Sequence, residues 1–124
     1  MPIRRGFARV LFSEGAFAED TMRTGRAGAG ALRRVRGQFE REGVKIKSLR
    51  RCDPEGPDGT KLDACFKIYL PEPNGKFGMV FRFVRDADGL ALRYLAFGVR
   101  HHPRDSNAPT VYEIAHRRLH GDSV

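Results

Sequence analysis

Two dipeptides, Asn74-Gly75 and Asp88-Gly89, constrain this chain more than any other feature in it. Each lies between apolar runs, and such pairs readily supply the positive φ angles that tight hairpin turns need. The flanking runs are 62–70 (Cys-Phe-Lys-Ile-Tyr-Leu at its end), 77–85 (Phe-Gly-Met-Val-Phe-Arg-Phe-Val) and 90–99 (Leu-Ala-Leu-Arg-Tyr-Leu-Ala-Phe-Gly-Val). Three strands joined by short turns predict an antiparallel meander. Side chains alternate across a strand. Phe66, Ile68 and Leu70, with Phe77, Met79, Phe81 and Phe83, therefore form an apolar face suited to packing on helices. Lys67, Tyr69, Lys76 and Arg82 fall together on the other face. The third run is apolar on both faces, as a central strand should be.

The flanks are helical, apart from one strand. Residues 7–12 (Phe-Ala-Arg-Val-Leu-Phe) are short, apolar and bounded by Gly6 and Ser13, which predicts a strand. Ser13 is a suitable N-cap for a helix running to about Arg23, with Ala16, Phe17 and Thr21 inward. Residues 25–30 are rich in glycine and alanine and read as a turn between two helices. No strand closely precedes them and no Lys-Ser/Thr follows, so they lack the pattern of a phosphate-cradling loop. Leu32, Val35 and Phe39 recur at helical spacing over 29–42, and Gly43 provides a stop. Residues 52–61 are dense in Pro, Gly and Asp and read as a surface loop. A last helix over 108–120 has Thr110 as a cap and Val111, Ile114, Ala115 and Leu119 as its buried stripe. The whole is an α+β chain: an N-terminal strand, two helices packed on an antiparallel meander sheet, and a C-terminal helix. Its 124 residues suffice for a single domain, 1–124.

Charge narrows the class of partner. The chain carries 23 Lys and Arg against 15 Asp and Glu, a formal net charge of +8. Between residues 23 and 51 only Glu40 and Glu42 oppose a run of cations that includes Arg33, Arg34, Arg50 and Arg51, and this segment holds the whole excess. A concentrated field of this kind suits a polyanion, a nucleic acid above all, or an acidic protein. Cys52 and Cys65 form no CxxC site and no paired Cys/His spacing completes a zinc set, which reads as a reduced, cytoplasmic protein without a metal. The N-terminal Met-Pro-Ile-Arg-Arg precedes no apolar core of a signal peptide, and no run approaches a membrane span.

The candidate chemistry lies near the C-terminus. Gly98-Val99-Arg100-His101-His102 ends the last strand, and Tyr112 opens the helix that follows. Cleaving RNA through its own 2′-hydroxyl needs a base, cations for the phosphorane charge, and an acid for the leaving 5′-oxygen. The guanidinium fork of Arg100 matches phosphate oxygens. His101 and His102 exchange protons near neutral pH, but as neighbours in an extended segment they point oppositely, so only one should enter a site. Lys67 can hold charge or act as a base; Tyr69 and Tyr112 can stack on nucleobases. Arg82, a phosphate contact or a surface pair partner, shares its face with Lys76, a further candidate RNA contact. His116 and His120 stand at metal-binding spacing, yet there is no HExxH glutamate and no third ligand, so His120 reads as a helix-end cation. The acidic residues lie mostly in loops, without a carboxylate pair, and no serine occupies a nucleophile elbow.

Three stretches, Lys47-Ser-Leu-Arg-Arg51, Cys65-Phe-Lys-Ile-Tyr-Leu70 and Leu95-Ala-Phe-Gly-Val-Arg100 continued by 111–119, give the chain a resemblance to the RelE/ParE superfamily of toxins from bacterial toxin–antitoxin pairs. With the element order, the likeness covers most of the chain. It implies an mRNA endoribonuclease that works at the ribosome without a cofactor or metal, inhibits translation and is silenced by a cognate antitoxin. By position it places Lys67 at a catalytic lysine, Tyr69 where a second basic residue can sit, Arg100 at the arginine after the last strand's Gly-x pair, and Tyr112 at the C-terminal tyrosine. Arg33, Arg34, Arg50 and Arg51 then become ribosomal-RNA contacts. Two departures stand out: Gly78 occupies the place of a middle-strand arginine, and residues 103–109 lengthen the link between Arg100 and Tyr112. Gyrase-inhibiting, ParE-like members share the fold, and a non-catalytic nucleic-acid-binding module would account for the charge, so both alternatives stay open.

Overall fold

The computed structural model describes residues 4–56, 59–104 and 106–121. The first three residues of the segment read as lacking a leader lie outside them, as do 57–58 of the surface loop, 105 of the lengthened link, and 122–124.

The order is β1 (Phe7–Ala8), β2 (Val10–Leu11), α1 (Glu14–Arg23), α2 (Gly25–Glu42), β3 (Val44–Lys45), a 3₁₀ turn (Ile46–Ser48), β4 (Arg50–Arg51), β5 (Cys65–Tyr69), β6 (Phe77–Asp86), β7 (Gly89–Val99) and α3 (Val111–Leu119). The expected meander is present as β5, β6 and β7. It forms the heart of a five-stranded sheet in the order β2-β7-β6-β5-β4, and β1 and β3 make a separate two-stranded pair. The fold is α+β as the sequence implies.

Several boundaries move, each for a physical reason. The strand expected over 7–12 breaks at Arg9 into β1, antiparallel to β3, and β2, parallel to β7. The carbonyl of Arg9 accepts from Leu92 at 2.8 Å, and its guanidinium forks onto Asp86 at 2.7 and 3.2 Å. The turn expected over 25–30 is the first part of α2. A Cβ at Gly28 would lie 2.3 Å from the Thr24 side chain and 3.3 Å from the Phe77 ring, so these small residues serve close helix–sheet approach. The strand expected from Leu62 starts at Cys65, because residues 62–65 form a turn with Ala64 at φ 62. The last helix begins at Val111, where Thr110 and Glu113 form a reciprocal capping box.

The sheet has a core on each face. On one, Leu32 and Phe39 of α2 pack with Ile68, Leu70, Phe77, Met79 and Phe81, as the alternation predicts. On the other, Val111, Ile114 and Ala115 of α3 pack with Cys65, Val80, Leu95 and Ala96. This second layer corrects the expectation of one continuous cationic face, because α3 divides it. A register shift between Val80 and Phe81 leaves Leu95 as an extra residue in β7. Tyr94 and Phe97 can thus face the first core while Leu95 and Ala96 face the second.

Backbone groups around this bulge need partners, and fully buried Asp20 organises them. Its carboxylate accepts from the Tyr94 hydroxyl, from the Phe97 amide at 3.1 Å and from Arg118 at 2.8 and 2.9 Å. Arg118 also donates to the Leu95 carbonyl at 2.8 Å, and Arg23 bridges Asp20 and the Phe97 carbonyl. One carboxylate thereby ties α1, β7 and α3 together. No helix of the described residues is long and apolar enough to cross a membrane.

Candidate active site

The site is assembled at the Phe77–Val99 end of the β6–β7 pair, a few residues from the bulge. Cross-strand pairing sets Tyr69 opposite Gly78 and Gly78 opposite Gly98, so bare backbone on β6 and β7 adjoins Tyr69. Arg100 lies over Gly78 and reaches to the Tyr69 ring. An ideal Cβ at Gly78 would stand 3.2 Å from Arg100 Cγ and 3.3 Å from the Ile68 carbonyl. Glycine at 78 therefore leaves room for the arginine's stem.

Three contacts hold Arg100 in place. Its backbone amide donates to the Lys76 carbonyl at 2.9 Å, its Nη1 donates to the Gly75 carbonyl at 3.0 Å, and its guanidinium carbon lies 3.6 Å from the Tyr69 ring centroid. A guanidinium flat on a phenol ring is a favourable cation–π arrangement. Its Nε is buried and has no hydrogen-bond partner among the described residues. Lys67 Nζ stands 5.7 Å from the Tyr69 ring centroid and 5.2 Å from that of Tyr112. Lys67, Tyr69, Arg100 and Tyr112 thus meet as one cluster.

The two phenols are driven apart. Burial pushes Tyr69 up, but the hydrogen bond and charge of Lys67, aided by Tyr112 and Arg100, outweigh it and hold the phenol below its ordinary value. Burial, followed by the neighbouring Tyr69, pushes Tyr112 up to about 12. Such divergence within one pair separates a readier proton acceptor from a persistent donor.

A cavity of about 300 Å³ adjoins the cluster. Lys67, Arg100, His101, His102 and Tyr112 all line it, so the residues expected to be catalytic share one concavity. The histidines differ in what they touch. His102 Nδ1 donates to the Ala108 carbonyl at 3.0 Å and its Nε2 lies 3.1 Å from Glu113, fastening the lengthened link to α3. His101 is exposed, with no hydrogen-bond or ion-pair partner among the described residues. The expectation that only one imidazole enters the site is replaced by two that line it, one of them engaged on both nitrogens.

The cations expected to bind RNA are more dispersed. Arg50 pairs with Lys67 across β4 and β5 and shares its face; Arg51 pairs with Phe66 and faces the other way. Arg33 and Arg34 are exposed on α2, in the layer beyond the opposite face of the sheet. The Lys76 ammonium lies over its neighbour Phe77, 5.1 Å from the ring centroid. Arg82 lies in a separate groove with Arg93, Glu19 and Arg118. Tyr69 stands with one ring face covered by Arg100, which takes that face from any stacking base.

The sequence missed the other wall of the cavity, formed by Cys52, Asp53, Thr60 and Leu62. Cys52 continues the β4–β5 ladder by donating to the Cys65 carbonyl at 3.0 Å. Burial, then Cys65, pushes its thiol up to about 12, so it behaves as a wall residue. His116 and His120 hold this wall. His116 Nδ1 accepts from the Lys61 amide at 2.9 Å, and His120 Nε2 donates to the Lys61 carbonyl at 2.8 Å. Their spacing serves a clamp on the backbone N–H and C=O of one residue, Lys61, and His120 is more than a helix-end cation. Among the described residues no cluster of three His, Cys, Asp or Glu side chains is arranged to hold a metal ion. Comparison with family models, with curated proteins and with solved structures finds no match to this chain.

Proposed function

We propose that this chain is a RelE-like endoribonuclease, the toxin of a toxin–antitoxin pair, which cleaves mRNA at the ribosome and so inhibits translation. The observation that carries the reading is the convergence of Lys67, Arg100, His101 and Tyr112 on one cavity. In this mechanism the 2′-oxygen attacks the adjacent phosphorus, a 2′,3′-cyclic phosphate forms, and the 5′-oxygen leaves. Arg100 and Lys67 hold the charge that develops on the phosphorane. His101 takes the 2′-hydroxyl proton, and Tyr112, whose phenol stays protonated, supplies one to the leaving oxygen. The exposed arginines of α2 and β4 supply contacts to ribosomal RNA. An acidic antitoxin fits the basic surface.

The test is brief expression in a bacterial host, following mRNA integrity and DNA supercoiling together. Rapid mRNA loss that Arg100→Ala abolishes supports the nuclease. Gly78 in place of a middle-strand arginine favours the gyrase-directed alternative, which requires intact mRNA with DNA damage. If neither change occurs, a non-catalytic nucleic-acid-binding module is the better account.

A further inference from the structure

The lining of the cavity divides chemically in a way that phosphate binding does not explain. Lys67, Arg100 and the two imidazoles suit an anion. Opposite in character are Cys52 and Leu62, both buried and apolar, with Asp53 beside them. Asp53 is the sole carboxylate of the lining among the described residues. A carboxylate in a cationic cavity would ordinarily pair with a cation, yet Asp53 makes no ion pair with Lys67 or Arg100. Asp53 is exposed at the cavity rim and accepts from no donor among the described residues, so its carboxylate stays open to a ligand, while its charge works against a bound phosphate. The wall that carries it is preorganised. Leu62 donates to the Pro54 carbonyl at 3.2 Å, Gly56 to the Thr60 carbonyl at 2.8 Å, and the two histidines clamp Lys61.

We propose that this cavity is a base-reading pocket. It takes one nucleobase next to the phosphate held by Lys67 and Arg100, and Asp53 selects a base that carries an exocyclic amino group. The inference rests on the nuclease reading and extends it to sequence preference. Phosphate contacts position a nucleic acid, whereas contacts to base edges specify it. Single-stranded RNA is read by splaying out a base, burying its faces and hydrogen-bonding its edge. The apolar wall suits the faces. A carboxylate accepts from the amino group of cytosine, adenine or guanine, while uracil presents carbonyl oxygens on either side of its one ring N–H.

The experiment titrates the purified full chain with AMP, GMP, CMP, UMP and ribose 5-phosphate, following amide shifts by NMR. Burying a base contributes about 1–3 kcal/mol, so at least one amino-bearing nucleotide should bind about fivefold or more tighter than ribose 5-phosphate. Its shifts should include Cys52 and Leu62, and UMP should bind more weakly than that nucleotide. Asp53→Asn should bring the preferred nucleotide and UMP to within about twofold of each other. Equal binding of all five ligands would overturn the pocket and leave the phosphate grip standing. UMP binding as tightly as the others would overturn the role of Asp53. No binding by any of the five, ribose 5-phosphate included, would overturn the nuclease reading as well.

Discussion

Gly78 and Arg100 work as a unit: the missing side chain of one makes room for the other's stem. Gly78→Ala would put a methyl group 3.2 Å from Arg100 Cγ and 3.3 Å from a backbone oxygen that cannot swing away. The expected result is a stability loss of about 1–3 kcal/mol in urea denaturation. Cleavage should fall about tenfold or more as the guanidinium lifts from Tyr69, displaced groups being costly to catalysis. Titration provides a second residue-scale test. The folded-state values of Cys52, Tyr94 and Tyr112 are all raised, with burial the largest cause of each. The unfolded chain loses these protons first, from about pH 8.5 for a cysteine and about pH 10 for a tyrosine. Stability should therefore be intact below about pH 8.5 and fall as pH rises toward 12. Thermal melts from pH 7 to 11 check this; because burial also raises Cys65, Cys52→Ala should make the decline above about pH 8.5 shallower without moving its start. Lys67, Arg100 and Tyr112 were legible in the sequence because strand alternation, a strand end and a helix start are local features. Asp20 was not. A lone aspartate in a helix has no pattern, and its importance comes from a bulge far along the chain.

Among the elements, what was legible follows the range of the forces involved. The β5–β6–β7 meander declares itself through Asn-Gly and Asp-Gly; Gly89 takes the positive φ, 104, that such a turn needs, while Asn74 and Gly75 turn the chain without one. The pairings of β2 with β7 and β4 with β5 involve two-residue strands whose partners are distant in sequence, and no periodicity marks them. The start of α2 was hidden because glycines weaken helix propensity, while the close packing that offsets the loss lies in the tertiary structure. Residues 52–61 read as a loop from their Pro, Gly and Asp content, whereas 62–64 read as strand. The loop's attachment was not legible, since it depends on His116 accepting from the Lys61 N–H and His120 donating to the Lys61 carbonyl. His116→Ala should release that wall. Hydrogen exchange at the Lys61 amide should speed about tenfold or more, while amides in β6 remain protected, because local opening and global unfolding are separate events.

Over the whole molecule, the sheet separates two basic surfaces. The cavity lies on the α3 side, and the exposed arginines of α2 lie in the other layer. The net charge pointed to a polyanion without indicating where its chemistry would occur. Arg33→Ala combined with Arg34→Ala should leave cleavage of a short oligonucleotide within about twofold. The same pair should weaken binding to ribosomes and reduce its salt dependence by about two phosphate contacts. A parallel loss of both activities would mean that α2 reaches the cleaved strand. The central claim is that the Arg100 cavity carries out transphosphorylation on RNA, and its most direct measurement uses purified protein with an end-labelled RNA oligonucleotide in the presence of a chelator. The account expects products ending in 2′,3′-cyclic phosphate, no cleavage where the scissile nucleotide is 2′-deoxy, and a loss of about a hundredfold or more in Arg100→Ala. An Arg100→Ala protein that cuts as fast as the parent, or a parent that cuts the deoxy-substituted strand equally well, would contradict it.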